Sequence, residues 1–282
     1  MPFSNSPLEK KVFSKIEKEF QEQKWEVLIA QLEAKCEQEA RYLKEEIERN
    51  FIIKEGGKFP LRPDFRLKME DFPFSEEKKK EDEKSVQERK NRWRKKMEKI
   101  QGKTLSLEEL EKIINHQKGI ALEKLVKILF YKHLSEDFIC VRTSEYDDYV
   151  NGVDNLIVSK KTGEVIAAVD LVTGFPNDPL LKGATEMEER TTKLNEKGGV
   201  KIEYGFKISG ITIELTSIEG VPVFYIVLLC KDLLKALEEL GNVQTEREIL
   251  RNILTQLRTQ GEKLSQMERW RDRGRELWEI KL

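Results

Sequence analysis

At 282 residues the chain is long enough for one large domain or two. Charged residues make up 37% and apolar ones 38%, so no thick core extends evenly along it, and a net charge of −1 gives no global field that draws in a polyanion. No apolar run approaches the roughly 18 residues of a membrane helix, and no apolar leader stretch opens the sequence. Cys36, Cys140 and Cys230 are widely separated, with no spacing suited to zinc, and read as reduced thiols of a soluble cytoplasmic protein.

In chain order, residues 7–50 predict a helix, with Phe13, Ile16 and Phe20 and then Trp25, Leu28, Ile29, Leu32, Cys36, Leu43 and Ile47 on one narrow stripe. Gly56, Gly57, Pro60, Pro63 and Pro73 mark 55–75 as loop or linker. The charge run 76–99 predicts another helix. Its second half, Arg89, Lys90, Arg92, Trp93, Arg94, Lys95 and Lys96, is a local basic patch with one aromatic, the composition a phosphate backbone contact requires. A solvated helix face is the alternative reading of that run.

A new unit opens near residue 104, where Ser106 and Glu109 form a capping box. The helix it starts carries Leu107, Leu110, Ile113 and Ile114 and runs to about residue 134, with Glu123 beside its apolar face. A strand at 138–143, an acidic turn (Glu145, Tyr146, Asp147, Asp148) and two further strands follow, the last two joined by Lys160-Lys161-Thr162-Gly163. Asp147 and Asp148 are expected in solvent. After Pro176 and Pro179 a helix to Lys197 carries Leu180, Ala184, Met187, Thr191 and Leu194 on one face, and Gly198-Gly199 ends it. Strands at 201–208, 211–216 and 221–229, the last two joined across Ile218-Glu219-Gly220, precede a helix at 232–240, another opened by a box of Thr245 and Glu248, and a final helical stretch to Trp278. The expected organisation is an N-terminal helical region (1–54), a linker and basic helix (55–103), a layered α/β core with a mixed sheet (104–241) and a C-terminal helical region (242–282).

The chemistry centres on two lone aspartates in strand-like runs, Asp154 in Gly152-Val153-Asp154-Asn155-Leu156 and Asp170 in Ala167-Ala168-Val169-Asp170-Leu171. A carboxylate among aliphatic neighbours costs several kcal/mol unless cations or donors meet it. Paired as a hairpin, the two lie close to opposite each other on one side of the sheet, the arrangement that hard metals select. Glu123 is the third available carboxylate. The structural alternative is a pair of strand-end carboxylates accepting backbone hydrogen bonds or pairing with Lys or Arg. No glycine-rich phosphate loop and no GxSxG elbow is present, and His116 and His133 are too few for a histidine-based centre.

In element order and in these acidic residues the chain resembles the PD-(D/E)xK nuclease superfamily over roughly residues 105–230. Glu123 matches the helix glutamate, Asp154 the first aspartate, and Asp170-Leu171-Val172 the (D/E)xK segment, with Val172 where the family has lysine. The resemblance implies a restriction endonuclease-like fold, a Mg²⁺ or Mn²⁺ ion on Glu123, Asp154 and Asp170, and phosphodiester hydrolysis in DNA or RNA. Arg190 is the candidate substitute for the lysine, ahead of Lys182 and Lys193, and the helical flanks are candidates for gripping nucleic acid or forming a homodimer. A silent nuclease-like protein acting in nucleic-acid binding or assembly is the second expectation, and a helical scaffold with an embedded α/β domain the third. Thr173-Gly174-Phe175 is a candidate substrate-facing loop, and the basic segment from Trp270 to Arg275 a weaker nucleic-acid candidate.

Overall fold

A computed structural model describes residues 7–106, 109, 118–174 and 180–271, with side chains from residue 23 onward except at 101 and 174–186. Residues 107–108 and 110–117 with His116, residues 175–179 with Phe175, and the residues after Arg271 lie outside this set, as do the side chains of Leu180, Lys182 and Ala184. The capping box is present: the Glu109 amide donates to Ser106 Oγ at 3.1 Å, and the Ser106 amide to the Glu109 carboxylate at 2.9 Å.

Two long helices come first, α1 (Pro7–Asn50) and α2 (Glu76–Gln101). On α1 the residues at helical spacing, Leu28, Leu32, Cys36, Leu43 and Ile47, are buried against α3 (Lys118–Leu134). Helix α3 is buried nearly all round, because α1 covers one side and a β-sheet the other. That position forces its polar residues to find partners. Lys124 pairs with Glu33 of α1 at 2.8 Å, and Lys127 Nζ donates to the side-chain amide oxygen of Asn155, Oδ1.

Between α1 and α2 lie a two-residue strand, β1 (Ile52–Ile53), and irregular chain. The linker expected there is in fact part of the core: Phe59, Leu61, Phe65, Leu67 and Phe72 are buried. Its prolines and glycines break the period without making it solvent-exposed, so a breaker-rich composition is a poor guide to burial here.

The strands β2 (Phe138–Arg142), β3 (Asn155–Ser159) and β4 (Val165–Gly174) form an antiparallel meander. Helix α4 (Leu180–Glu196) and the hairpin β5 (Val200–Ser209) and β6 (Thr212–Val221) then lead to β7 (Val223–Leu229), which lies parallel to β4. Two mixed sheets result, ordered β2-β3-β4-β7 and β1-β6-β5, where one was expected. Ile218 to Gly220, expected as a connection, lie inside β6, and Pro222 alone separates it from β7 in the other sheet. Helices α5 (Cys230–Glu238) and α6 (Val243–Ser265) complete the described fold. Asn242, not Thr245, caps α6, accepting from the amides of Gln244 and Thr245. Thr245 instead bonds Glu239, and Glu248 pairs with Lys235 at 3.1 Å. Among the described residues no helix is long and apolar enough to cross a membrane.

The outer side of β7 is closed by side-chain amides. Gln260 accepts from the Tyr225 amide at 3.1 Å and donates to its carbonyl at 2.7 Å, and Gln256 does the same for Val227 at 2.9 Å each way. Asn195 of α4 treats Val223 likewise, at 2.8 Å each way. Four residues of helix rise about 6 Å and two of strand about 6.6 Å, so glutamines spaced i, i+4 meet alternate strand residues.

The β3–β4 turn depends on Gly163, whose φ is +76°. Its carbonyl accepts from the Ile208 amide at 2.9 Å, and a Cβ there would lie 1.8 Å from the Ile208 carbonyl oxygen. Gly163→Ala is therefore expected to destabilise the protein by about 2–4 kcal/mol, through left-handed strain and displacement of β5. A urea midpoint equal to wild type would show that the turn tolerates a side chain.

Candidate functional site

The site is built where β3 begins and β4 ends. Asp154 lies one residue before β3, not within it as expected, and Asp170 is inside β4. Near the turn Val158 pairs with Val165, a register that would set Asp154 opposite Val169 and turn Asp170 to the other face. A bulge intervenes. Ile157 pairs with Ala167, leaving Ile166 over, and Asn155 with Val169, so the next pair outward is Asp154 and Asp170 on one face.

The two carboxyl groups share a hydrogen bond. The Leu171 amide also donates to Asp154 Oδ2 at 2.8 Å, replacing the ladder bond that β3 does not extend far enough to make. Burial, then the nearby charges of Glu123 and Asp170, push the Asp154 carboxyl well above its usual range. Burial raises Asp170 too, opposed by the Asp154 hydrogen bond and by Arg190. Among the described residues no cation lies within ion-pair distance of Asp154, while Asp170 Oδ2 has Arg190 Nη1 at 3.5 Å.

Arg190 enters from α4 beside Gly152, donating to the Gly152 carbonyl at 3.4 Å. A Cβ at Gly152 would lie 2.4 Å from the guanidinium, so this position keeps open the path by which the arginine reaches Asp170. Lys193, considered beside it from the sequence, is turned to solvent and pairs with Glu189 at 3.7 Å. Val172 aligns with Val227, and both are half-buried.

Glu123 is buried on α3 and lies 2.7 Å from Arg142 Nη2 of β2. That is an ion-pair distance, but the alignment makes no hydrogen bond, and Glu123 Oε2 accepts none. Arg142 also holds Asp64 at 2.8 Å, and Arg66 holds Asp148 at 2.8 Å. Both Asp64 and Arg66 reach inward from the irregular segment, at a turn where the buried Phe65 takes a left-handed φ of 64°. Thus Asp148, expected in solvent, is tied to a buried arginine.

Asp147, also expected in solvent, is fully buried in the π-helical turn Asp147–Asn151. Its carboxylate accepts from Ser144 Oγ (2.8 Å), Asn151 Nδ2 (2.7 Å) and the amides of Glu203 (2.8 Å) and Tyr204 (3.0 Å) on β5. Burial raises it and these donors lower it. Its own carbonyl accepts from the Val153 amide at 3.1 Å, so a residue that ties β5 to the turn before β3 also sets the approach to Asp154.

Lys127 is the main residue missed in the sequence. Fully buried one turn beyond Glu123, it is lowered by burial to about 8, with Glu123 opposing. Its partner Asn155 directly follows Asp154. The signal was present: Lys127 is a lone charge in Leu125-Val126-Lys127-Ile128-Leu129, the same pattern that marks the aspartates.

Among the described residues no group of three His, Cys, Asp or Glu side chains is arranged to hold a metal ion. The structure brings Asp154 and Asp170 together and leaves Glu123 with Arg142. Two carboxylates nevertheless suit Mg²⁺, which binds through one or two of them and keeps waters and substrate phosphates as its other ligands. A cation between the two carboxyl groups would relieve the buried pair, and Glu123, held by Arg142, lies on the same charge cluster.

The basic patch is on α2. Arg89, Arg92, Lys95 and Lys96 are exposed, Trp93 is half-buried, Arg94 approaches Glu98 at 4.0 Å, and Lys90 pairs with Glu145 at 2.8 Å. Lys90 also lies 5.3 Å above the Tyr149 ring, which anchors α2 to the turn leading to Asp154. His133 is bound to Glu246 at 3.1 Å, and the three cysteines are buried and unbridged.

Together these features define a helix-flanked α/β protein with two mixed sheets and a paired-carboxylate centre. No family model, curated protein or solved structure matches the chain.

Proposed function

We propose that the chain is a divergent metal-dependent nuclease of the PD-(D/E)xK kind, hydrolysing phosphodiester bonds in DNA or RNA. The observation that carries the reading is the Asp154–Asp170 pair, side by side on one face at the mouth of the sheet, with no cation within ion-pair distance of Asp154 among the described residues. The order helix, three antiparallel strands, helix and, after the β5–β6 hairpin, a strand parallel to β4 supports it. Asp154 and Asp170 would hold Mg²⁺ or Mn²⁺, with Glu123 joining by exchanging Arg142 for the ion. When bound, such an ion offsets charge on the phosphate and acidifies water. Arg190, half-exposed beside Asp170, is placed to meet a phosphate oxygen from the open side. The exposed arginines and lysines of α2 supply backbone contacts outside the centre.

Val172 and the Glu123–Arg142 pair favour a second reading, a silent relative that retains the fold for nucleic-acid binding or assembly. Calorimetric titration with Mn²⁺ is expected to give heat that vanishes in Asp170→Ala, and incubation with plasmid, single-stranded DNA and RNA in Mg²⁺ is expected to give cleavage lost in the same variant. Metal heat without cleavage selects the silent relative, and no heat from wild type removes the nuclease.

A further inference from the structure

The face that carries the carboxylates continues over β7. Asp170 aligns with Tyr225 in the parallel β4–β7 ladder, so Tyr225 occupies the same face one strand further on, its backbone about 4.8 Å away across the sheet. Gln260 holds both its main-chain N–H and its carbonyl, which gives the half-buried ring a fixed base. The phenol bonds Glu188 of α4, whose carboxylate also takes Lys263 Nζ of α6 at 3.1 Å. Between α4, β7 and α6 these residues border a cleft of about 300 Å³, with Thr192 and Met267 also on its walls.

The cleft combines a rigid aromatic ring, apolar walls and a polar rim with one ammonium group. It is at the lower size limit of ligand pockets, with room for one ring system and none for a base pair. We propose that it seats one unpaired nucleobase of the strand whose phosphate meets Asp154 and Asp170, with Tyr225 against the base and Lys263 near the adjoining phosphate. The substrate class is then single-stranded nucleic acid, or a duplex end or loop from which a base turns out. A fixed aromatic surface suits this role because every base has a π-face, and stacking contributes about 1–3 kcal/mol per base. The inference rests on the nuclease reading and narrows its substrate.

The test uses the full chain and labelled oligonucleotides, with anisotropy recorded in Ca²⁺ for single-stranded DNA and RNA and for matching duplexes. Wild type is expected to prefer single strands. Tyr225→Leu is expected to bind them about 5–100-fold more weakly, and Tyr225→Phe to stay within roughly threefold of wild type, since the ring remains. An oligonucleotide with one abasic position, scanned along the strand, is expected to show the same loss at one place with wild type and no added loss with Tyr225→Leu. Equal affinity for duplex and single strand overturns the proposal, as does an abasic scan without effect. The scan on wild type decides even if the leucine variant misfolds. Mn²⁺ titration beside it separates the failures: intact metal binding with a flat scan removes only the base seat, and absent metal binding removes the nuclease as well.

Discussion

Asp154→Asn is expected to make the metal-free protein more stable at neutral pH, by about 1–2 kcal/mol, while abolishing Mn²⁺ binding and cleavage. The asparagine oxygen retains the Leu171 amide, and its NH₂ group donates to Asp170 in place of the hydrogen bond between the two carboxyl groups. What disappears is a buried carboxyl whose folded pKa stands well above its ordinary value. The sign follows from linkage. A carboxyl raised on folding contributes stability that is complete below its unfolded pKa and lost as pH rises through the folded one. The wild-type pair therefore weakens the apo protein from the ordinary carboxylate range upward, and the variant lacks that slope. Urea midpoints in EDTA at pH 4.5 and 7.5 would show the two proteins diverging with pH. Added Mn²⁺ should then raise the wild type alone. A variant less stable than wild type at pH 7.5, or one still stabilised by Mn²⁺, would show that the aspartate is an ordinary strand-end acceptor.

Asp147→Ala is expected to cost about 3–5 kcal/mol, the largest loss of any single change considered. The substitution leaves the amides of Glu203 and Tyr204 facing a buried site without an acceptor, and it frees Ser144 Oγ and Asn151 Nδ2. Each unpaired buried donor costs about 1–3 kcal/mol, so the two amides alone account for most of the effect. Asp147→Asn should fall between, because its amide offers one oxygen where the carboxylate offers two. A urea midpoint for the alanine variant within error of wild type would mean that water takes over these donors, and that the turn is as solvated as its composition suggested.

The helices were legible because they depend on periodicity. Leu28, Leu32, Cys36, Leu43 and Ile47 repeat at helical spacing, and each is buried. Asp154 and Asp170 share a face, but only through the bulge at Ile166, a local event that no residue type announces. The partners of the charged residues were not legible. Asp64 and Arg66 come from a stretch with no period, and they reach Arg142 and Asp148 only because Phe65 adopts a left-handed turn around its buried ring. Asp147 was misjudged for a related reason: a tight acidic turn reads as solvent-exposed until another strand, here β5, places two amides above it. Lys127 was readable by the reasoning that found the aspartates, applied to the opposite charge.

Gln256, Gln260 and Asn195 have an effect beyond holding helices to a strand. An outermost β-strand ordinarily offers its unsatisfied main-chain groups to any extended peptide, which is how sheets lengthen between molecules and how fibres are seeded. Along β7 that invitation is withdrawn at each alternate residue from Val223 to Val227. A carboxamide mimics a peptide bond closely enough to occupy the vacancy, yet it carries no onward chain through which pairing can propagate.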